Sequence, residues 1–209
     1  MTAQHSFALH RRLTAGQQET RRQIIDAALA IAADEGYDAL TTRTVAARAG
    51  VALGTVYRYF TSKDHILVEA MVDSSTRFER SVAASLPTGA TPAERVADVF
   101  DRFSSRTSRR PLLAAAMVRA AASSDPTVIA LRGDQRSVTS RLVELALGDA
   151  EIRDRDDVLA LFEDVAFASM LNTSDTSSSI GEHMRRAARV LLRDCTERGA
   201  SEARGVDPR

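Results

Sequence analysis

The stretch Thr42–Lys63, TRTVAARAGVALGTVYRYFTSK, decides the fold. Val45, Ala46 and Ala49 fall at i, i+1 and i+4, one apolar face of a short helix, and Gly50 permits the left-handed backbone that ends it. A second short helix is expected over Thr55–Phe60. Two helices joined by a turn of about four residues that starts with Gly have the outline of a helix-turn-helix. Val56 and Phe60, at i and i+4, pack inward. Gly54, Thr55, Tyr57, Arg58 and Tyr59 stay partly outward, a small polar surface with aromatic hydroxyls suited to a major groove beside phosphates.

Upstream, Thr41 and Thr42 precede the first of these helices, and Thr42 is expected as its N-cap. Such a helix start aims backbone N–H groups and a positive dipole end outward, which suits a phosphate. Arg43 follows, placed for a base edge or a phosphate. Further back, Thr14-x-x-Gln17 has capping-box spacing for a long helix ended by Gly36, with Ile24, Ile25, Ala28, Leu29, Ile31 and Ala32 as its apolar stripe. Arg21 and Arg22 lie on its polar side, as solvated groups or phosphate contacts. Residues 1–13, with His5, His10, Arg11 and Arg12, read either as a basic arm for a minor groove or as a frayed terminus.

Downstream, Ser62 caps a helix expected from Lys63 to Leu86, with Ile66, Leu67, Ala70, Met71, Phe78 and Val82 on its buried side. It is longer than a small DNA-binding core needs, so it links that core to a second domain. Pro87, Gly89 and Pro92 mark the first break. Helices starting at Pro92, Pro111 and Pro126 follow, each with Pro in its first turn, and no stretch shows strand alternation. The last two helices, about Asp156–Met170 and Ile180–Cys195, flank the polar stretch Asn172–Ser179. The first is apolar on more than one side, which calls for two partners, its own domain and the same helices of a second copy. The expected seam is Phe162, Val165, Ser169, Met184, Ala188, Leu191 and Leu192. The chain from Glu197 on reads as a disordered tail.

Composition bounds the rest. A chain of 209 residues with 44% hydrophobic residues can build a real core. Lysine plus arginine and aspartate plus glutamate balance at 28 each, which argues against indiscriminate nucleic-acid binding. Residues 1–65 nevertheless carry eight basic groups against six acidic ones. No apolar run is long enough for a membrane span or signal peptide, and Cys195 alone forms no intrachain disulfide, so a soluble cytoplasmic protein is expected. The four histidines are scattered, and neither a nucleophile elbow nor a Gly-rich phosphate loop is present. No catalytic residue, metal or cofactor is expected, and the chain is not read as an enzyme.

The pattern Thr42-x-x-Val45-Ala46-x-x-Ala49-Gly50-Val51-x-x-Gly54-Thr55-Val56-Tyr57-x-Tyr59-Phe60-x-Ser62-Lys63-x-x-Ile66-Leu67 resembles the DNA-binding signature of TetR-type transcriptional repressors. Ala52 departs from it, standing where many members have a Ser or Thr cap. The resemblance implies an all-α fold with a three-helix DNA-binding domain, residues 1–62 including the arm, a helical effector-binding and dimerisation domain, 63–196, and a tail, 197–209. It implies DNA contacts from Thr42, Arg43, Leu53, Gly54, Thr55, Tyr57, Arg58, Tyr59 and Lys63. Phe100, Phe103, Leu112, Leu113, Met117, Phe162, Phe167 and Met170 read from the residues either as ordinary core or as an apolar pocket, and the family resemblance implies the pocket.

A narrower resemblance, in Val51–Val68, Ala90–Arg95 and Arg110–Ala120, is to actinobacterial repressors of sterol catabolism, which respond to steroid-derived coenzyme A thioesters. The implied function is a homodimeric repressor on a palindromic double-stranded DNA operator, released by a hydrophobic small-molecule effector such as a steroid or acyl-CoA thioester. Arg106, Arg109, Arg110 and Arg119 read as solvated arginines or as partners for the thioester's phosphates. The other readings are an efflux-associated repressor that senses hydrophobic drugs, an activator or architectural binder without effector, and a helical enzyme.

Overall fold

The computed structural model describes residues 13–171, 180–193 and 195. Residues 1–12 of the expected arm, the polar stretch Asn172–Ser179 and the expected tail lie outside the described residues. Apart from one bridge residue, Glu151, all regular structure among the described residues is α-helical, as the sequence predicts. The helices are α1 (Ala15–Asp34), α2 (Thr42–Ala49), α3 (Leu53–Tyr59), α4 (Lys63–Ala84), α5 (Pro92–Thr107), α6 (Pro111–Ala121), α7 (Pro126–Leu147), α8 (Arg155–Leu171) and α9 (Ile180–Leu191).

Local chemistry explains most of the boundaries. Thr14 and Gln17 form the expected reciprocal capping box at the start of α1. Gly50 ends α2 with φ of 68°, a conformation that costs a residue with Cβ roughly 1 kcal/mol or more. Ser62 accepts the N–H of His65 at 3.1 Å and so starts α4. The N-cap of α2, however, is Thr41 and not Thr42. Thr41 Oγ1 accepts the Thr44 N–H at 3.1 Å, and the Thr44 hydroxyl accepts the Thr41 N–H at 2.9 Å. A reciprocal box needs a side-chain oxygen three residues after the cap. Thr41 finds one in Thr44, whereas Thr42 would face Val45. The second short helix also begins at Leu53, two residues before the expected start, with Ala52 at its N-cap making no side-chain cap bond.

By packing, the chain divides into two compact units. One comprises residues up to Thr76 with Thr107–Gln135, the other Arg77–Arg106 with the residues from Arg136 on. These boundaries fall inside α4, at the end of α5 and inside α7. The division at residues 62 and 63 concerns function and stays a proposal. In the first unit α1 packs on α2 and α6, and α2 on α3. Its buried side chains include Ile24, Ala28, Leu40, Val45, Val56, Phe60, Ile66, Leu67 and Ala116. The second unit closes around Phe78, Val82, Val96, Phe100, Leu142, Leu147, Phe162 and Met184.

One charge pair is enclosed in the first unit. The Arg21 guanidinium bonds the Glu69 carboxylate, with the two side chains only 15% and 9% exposed, and it also lies over the Phe60 ring, 5.7 Å from the centroid. Arg21 is therefore an internal partner of α4, and Arg22 pairs within its own helix with Glu19 and Asp26. A buried charge without its partner is far more costly than the pair.

Two stability measurements check these assignments by urea denaturation. Thr41→Ala is expected to lower the unfolding free energy by about 1 kcal/mol, and Thr42→Ala to leave it nearly unchanged. Glu69→Gln, which strands the Arg21 charge, is expected to cost roughly 3 kcal/mol.

Candidate nucleic-acid interface

The outward surface of α2 and α3 is built on two buried residues. Val56 is 0% and Phe60 1% exposed, so the other faces of α3 must point away from the core. Leu53, Gly54, Tyr57 and Arg58 are exposed, and Thr55 and Tyr59 half-buried. The Tyr57 hydroxyl lies 3.0 Å from the Thr42 hydroxyl, which ties the recognition helix to the N-terminus of α2. Arg58 stacks over the Tyr59 ring, 5.0 Å from its centroid, and donates to the Tyr59 hydroxyl at 3.3 Å. Arg48 reaches Glu35 at 3.4 Å. Arg43 is exposed and makes no ion pair among the described residues. The structure thus brings together eight of the residues expected at DNA: Thr42, Arg43, Leu53, Gly54, Thr55, Tyr57, Arg58 and Tyr59.

Lys63 differs from expectation. Its ammonium sits 3.7 Å from the centroid of the Tyr37 ring and donates to the Tyr37 carbonyl at 3.1 Å. An ammonium so placed holds the loop before α2. Tyr37 itself donates to Asp64 at 2.6 Å. Burial first, and then the bond to Asp64, push its phenol up to about 12, so it remains a donor throughout the physiological range. Over the same ring lies the Arg119 guanidinium, 4.2 Å from the centroid and paired with Asp38 at 2.9 Å. Arg119, expected on surface or effector phosphates, is a structural partner of this loop.

The turn between α3 and α4 is held in a similar way. Asp125 accepts from the hydroxyls of Thr61 and Ser62, each at 2.9 Å, and from the Thr127 N–H at 2.8 Å. Burial alone would raise its carboxyl, but these hydrogen bonds outweigh it and hold the group below the usual range. Neither the Tyr37 cluster nor the Asp125 contacts were foreseen. Asp125 before Pro126 carried the signal of a helix N-cap, but nothing in the sequence places its carboxylate on residues 63 and 64 positions away.

The expected effector residues fall in both units. Phe100, Phe103, Phe162, Phe167 and Met170 belong to the second, Leu112, Leu113 and Met117 to the first. Phe100 and Phe162 are buried in the core of their unit, and Phe103 makes an edge contact with Phe78 at 5.6 Å. Leu112 is 49% exposed. Among the described residues no group of His, Cys, Asp and Glu gathers as a metal site.

The residues expected at a subunit seam divide between core and surface. Phe162, Met184, Ala188 and Leu192 are buried in the second unit's own core, at 0%, 0%, 0% and 4% exposure. An open apolar groove of about 470 Å³ lies instead over Leu161, Val165, Ala168, Ser169, His183, Arg186, Ala187, Val190 and Leu191. Leu161, Ala187 and Leu191 each precede a core residue by one position, about 100° around the helix. Of the seven residues expected at the seam, Val165, Ser169 and Leu191 line this groove.

Comparison with known proteins agrees with this geometry. Residues 24–70 match the family described as bacterial regulatory proteins, tetR family, and residues 89–191 match the tetracyclin repressor-like C-terminal domain. The HTH-type transcriptional repressor KstR of Rhodococcus jostii is 33% identical over 87% of this chain and 87% of its own. KstR of Mycobacterium tuberculosis is 31% identical over 85% of this chain and 83% of its own. Among solved structures, a TetR transcriptional regulator from Rhodococcus sp. RHA1 superposes with a TM-score of 0.68 at 26% identity, covering 85% of this chain and 98% of that one. The Thermus thermophilus repressor FadR, solved with lauroyl-CoA, shares the fold with a TM-score of 0.65 at 20% identity, over 82% and 93% of the two chains. These relatives are transcription regulators, not enzymes. With a helix-turn-helix whose polar face is held outward by Val56 and Phe60, and with both family domains matched in order, the chain belongs to the tetR family of bacterial regulatory proteins.

Proposed function

We propose that this protein is a cytoplasmic repressor that binds an inverted-repeat operator as a homodimer and releases it on binding an apolar effector of the acyl-CoA or steroid-CoA thioester class. The observation that carries the reading is the exposed face of α2 and α3. There Arg43 is an uncommitted guanidinium beside the Thr42–Tyr57 hydroxyl pair, while Arg48 and Arg58 have internal partners. A guanidinium free to present two parallel N–H groups suits a guanine edge in the major groove, and the exposed Leu53 of α3 suits a thymine methyl. Thr42, Tyr57 and the start of α2 serve the neighbouring phosphates.

Dimerisation through the groove on α8 and α9 supports the inverted repeat. Leu161 and Val190 are 47% and 63% exposed, large apolar groups whose burial by a second copy offsets the cost of ordering the two chains. Helices from two copies meeting there form a four-helix seam. A two-fold axis places the reading helices on half-sites about 34–36 Å apart, one turn of DNA. The thioester class is supported by the resemblance to sterol-catabolism repressors and by FadR of the same fold, solved with lauroyl-CoA. In this reading aromatic side chains of the second unit such as Phe103 and Phe167 meet the apolar part. The effector acts only through its difference in affinity for the two conformers, DNA-bound and released.

Selection of duplexes from a randomised library by the purified protein is expected to recover an inverted repeat, and addition of a steroid-CoA thioester to release it. Recovery of unordered sequence, or no release by any acyl-CoA, would count against the operator and effector readings respectively. On the selected duplex, Arg43→Ala is expected to relax the choice at one base pair per half-site, a loss of about 1–3 kcal/mol of discrimination. Equal preference at every position would return Arg43 to a phosphate role. Leu161→Glu with Val190→Glu is expected to give a monomer in analytical ultracentrifugation that retains its helical circular dichroism.

A further inference from the structure

The recognition helix α3 has seven residues and an N-cap, Ala52, that makes no side-chain bond. Its aim therefore depends on its C-terminal end, Phe60 and the turn Thr61–Ser62. The Thr61 N–H donates to Nδ1 of His65 at 3.1 Å. The Ser62 hydroxyl accepts the His65 N–H at 3.1 Å, so the residue is tied to the turn through its ring at Thr61 and through its backbone at the Ser62 cap. The His65 ring also meets the edge of Phe60 at 5.2 Å and is 13% exposed, so it lies behind the DNA-facing surface. For Nδ1 to accept, the ring proton must sit on Nε2, where Glu69 Oε2 lies at 3.5 Å.

We infer that His65 is a positioning residue for operator binding: as a neutral ring its Nδ1 holds the Thr61 backbone, and with it the end of the recognition helix, so protonation of this ring loosens the protein's hold on DNA. The inference rests on the reading of α3 as the groove-reading helix. An imidazolium carries a proton on both nitrogens; a proton on Nδ1 would face the Thr61 N–H donor to donor and turn to the Thr61 hydroxyl, 3.2 Å from Nδ1, giving up the bond to the backbone. Three ionisable groups face the ring: Arg21 from α1, Glu69 one turn on in α4, and Asp125 from the turn before α7. Burial favours the neutral ring, Asp125 opposes that, and Arg21 favours it, with a net lowering of the ring's pKa below its ordinary value. The accepting form thus prevails at neutral pH, and it is lost only as the pH falls below the ordinary histidine range. This sign is opposite to the general electrostatic trend, since acid adds positive charge and tightens binding to phosphates.

The test is fluorescence anisotropy on the duplex selected with wild-type protein, at fixed ionic strength, between pH 7.5 and 5.5. Wild-type affinity is expected to fall about fivefold or more over this range, the loss of one net hydrogen bond. In His65→Asn the amide oxygen takes the place of Nδ1 and cannot be protonated, so affinity at pH 7.5 is kept and its fall at pH 5.5 is abolished. His65→Gln places its amide toward the Nε2 position and is expected to bind about fivefold more weakly at pH 7.5. A wild-type affinity that does not fall in acid overturns the inference. So does a His65→Asn variant that keeps the acid loss, which would assign it to another group such as His183 on the groove. Long-range nitrogen NMR of the wild-type ring needs no variant to fold: a proton on Nδ1 at pH 7.5 would equally overturn it. A selection that recovers no operator strikes the repressor reading instead, and the NMR tautomer still decides for or against His65.

Discussion

A seven-residue helix has no independent stability in water, because the cost of its first turn is barely recovered before it ends. The burial of Val56 and Phe60 is what makes α3 a helix at all. Complete burial of such side chains contributes roughly 1.5–3 kcal/mol each, enough to offset the absent cap at Ala52. The same two anchors determine which residues reach solvent. With positions 56 and 60 inward, Leu53, Gly54, Tyr57 and Arg58 must be outward, and the DNA-reading face follows from the core-packing face.

Anchoring one face of α3 leaves the two ends of the helix-turn-helix to be held, and polar contacts from distant segments hold them. The loop before α2 is held by two cations on the Tyr37 ring, Lys63 at 3.7 Å and Arg119 at 4.2 Å from its centroid. The turn after α3 is bonded by Asp125 on one side and His65 on the other. Arg119 and Asp125 both come from the segment around the end of α6, so one short piece of chain steadies both ends of the helix-turn-helix. This explains why α6 and the first part of α7 pack in one compact unit with the reading head. It also explains why several cations expected on DNA or effector phosphates are engaged inside the protein.

The helices, their order and most of their caps were legible because each depends on neighbours within about four positions. Thr14 with Gln17, Gly50, Ser62 and the three first-turn prolines all acted as local signals. The misplaced cap at Thr42 was a local error with a local remedy, since Thr44 offers the oxygen that Val45 lacks. The outer faces of α8 and α9 were a subtler case. Apolar residues surround α8, and periodicity alone leaves their division between core and surface one residue uncertain. Leu161 and Phe162 are both apolar neighbours, yet one is 47% exposed and the other 0%.

The sequence by itself determined an all-helical chain, a helix-turn-helix with a known inward pair, and the set of polar groups available to meet DNA, because these follow from periodicity and short-range hydrogen bonding. Only the tertiary structure decided which of those groups stay available. Arg21 went to a buried glutamate, Lys63 and Arg119 to a tyrosine ring, and Arg43 remained exposed without an ion pair among the described residues. The physical reason is that a charged side chain takes the partner that folding brings within a few ångströms, and partners tens of residues apart in the chain leave no periodic trace in it.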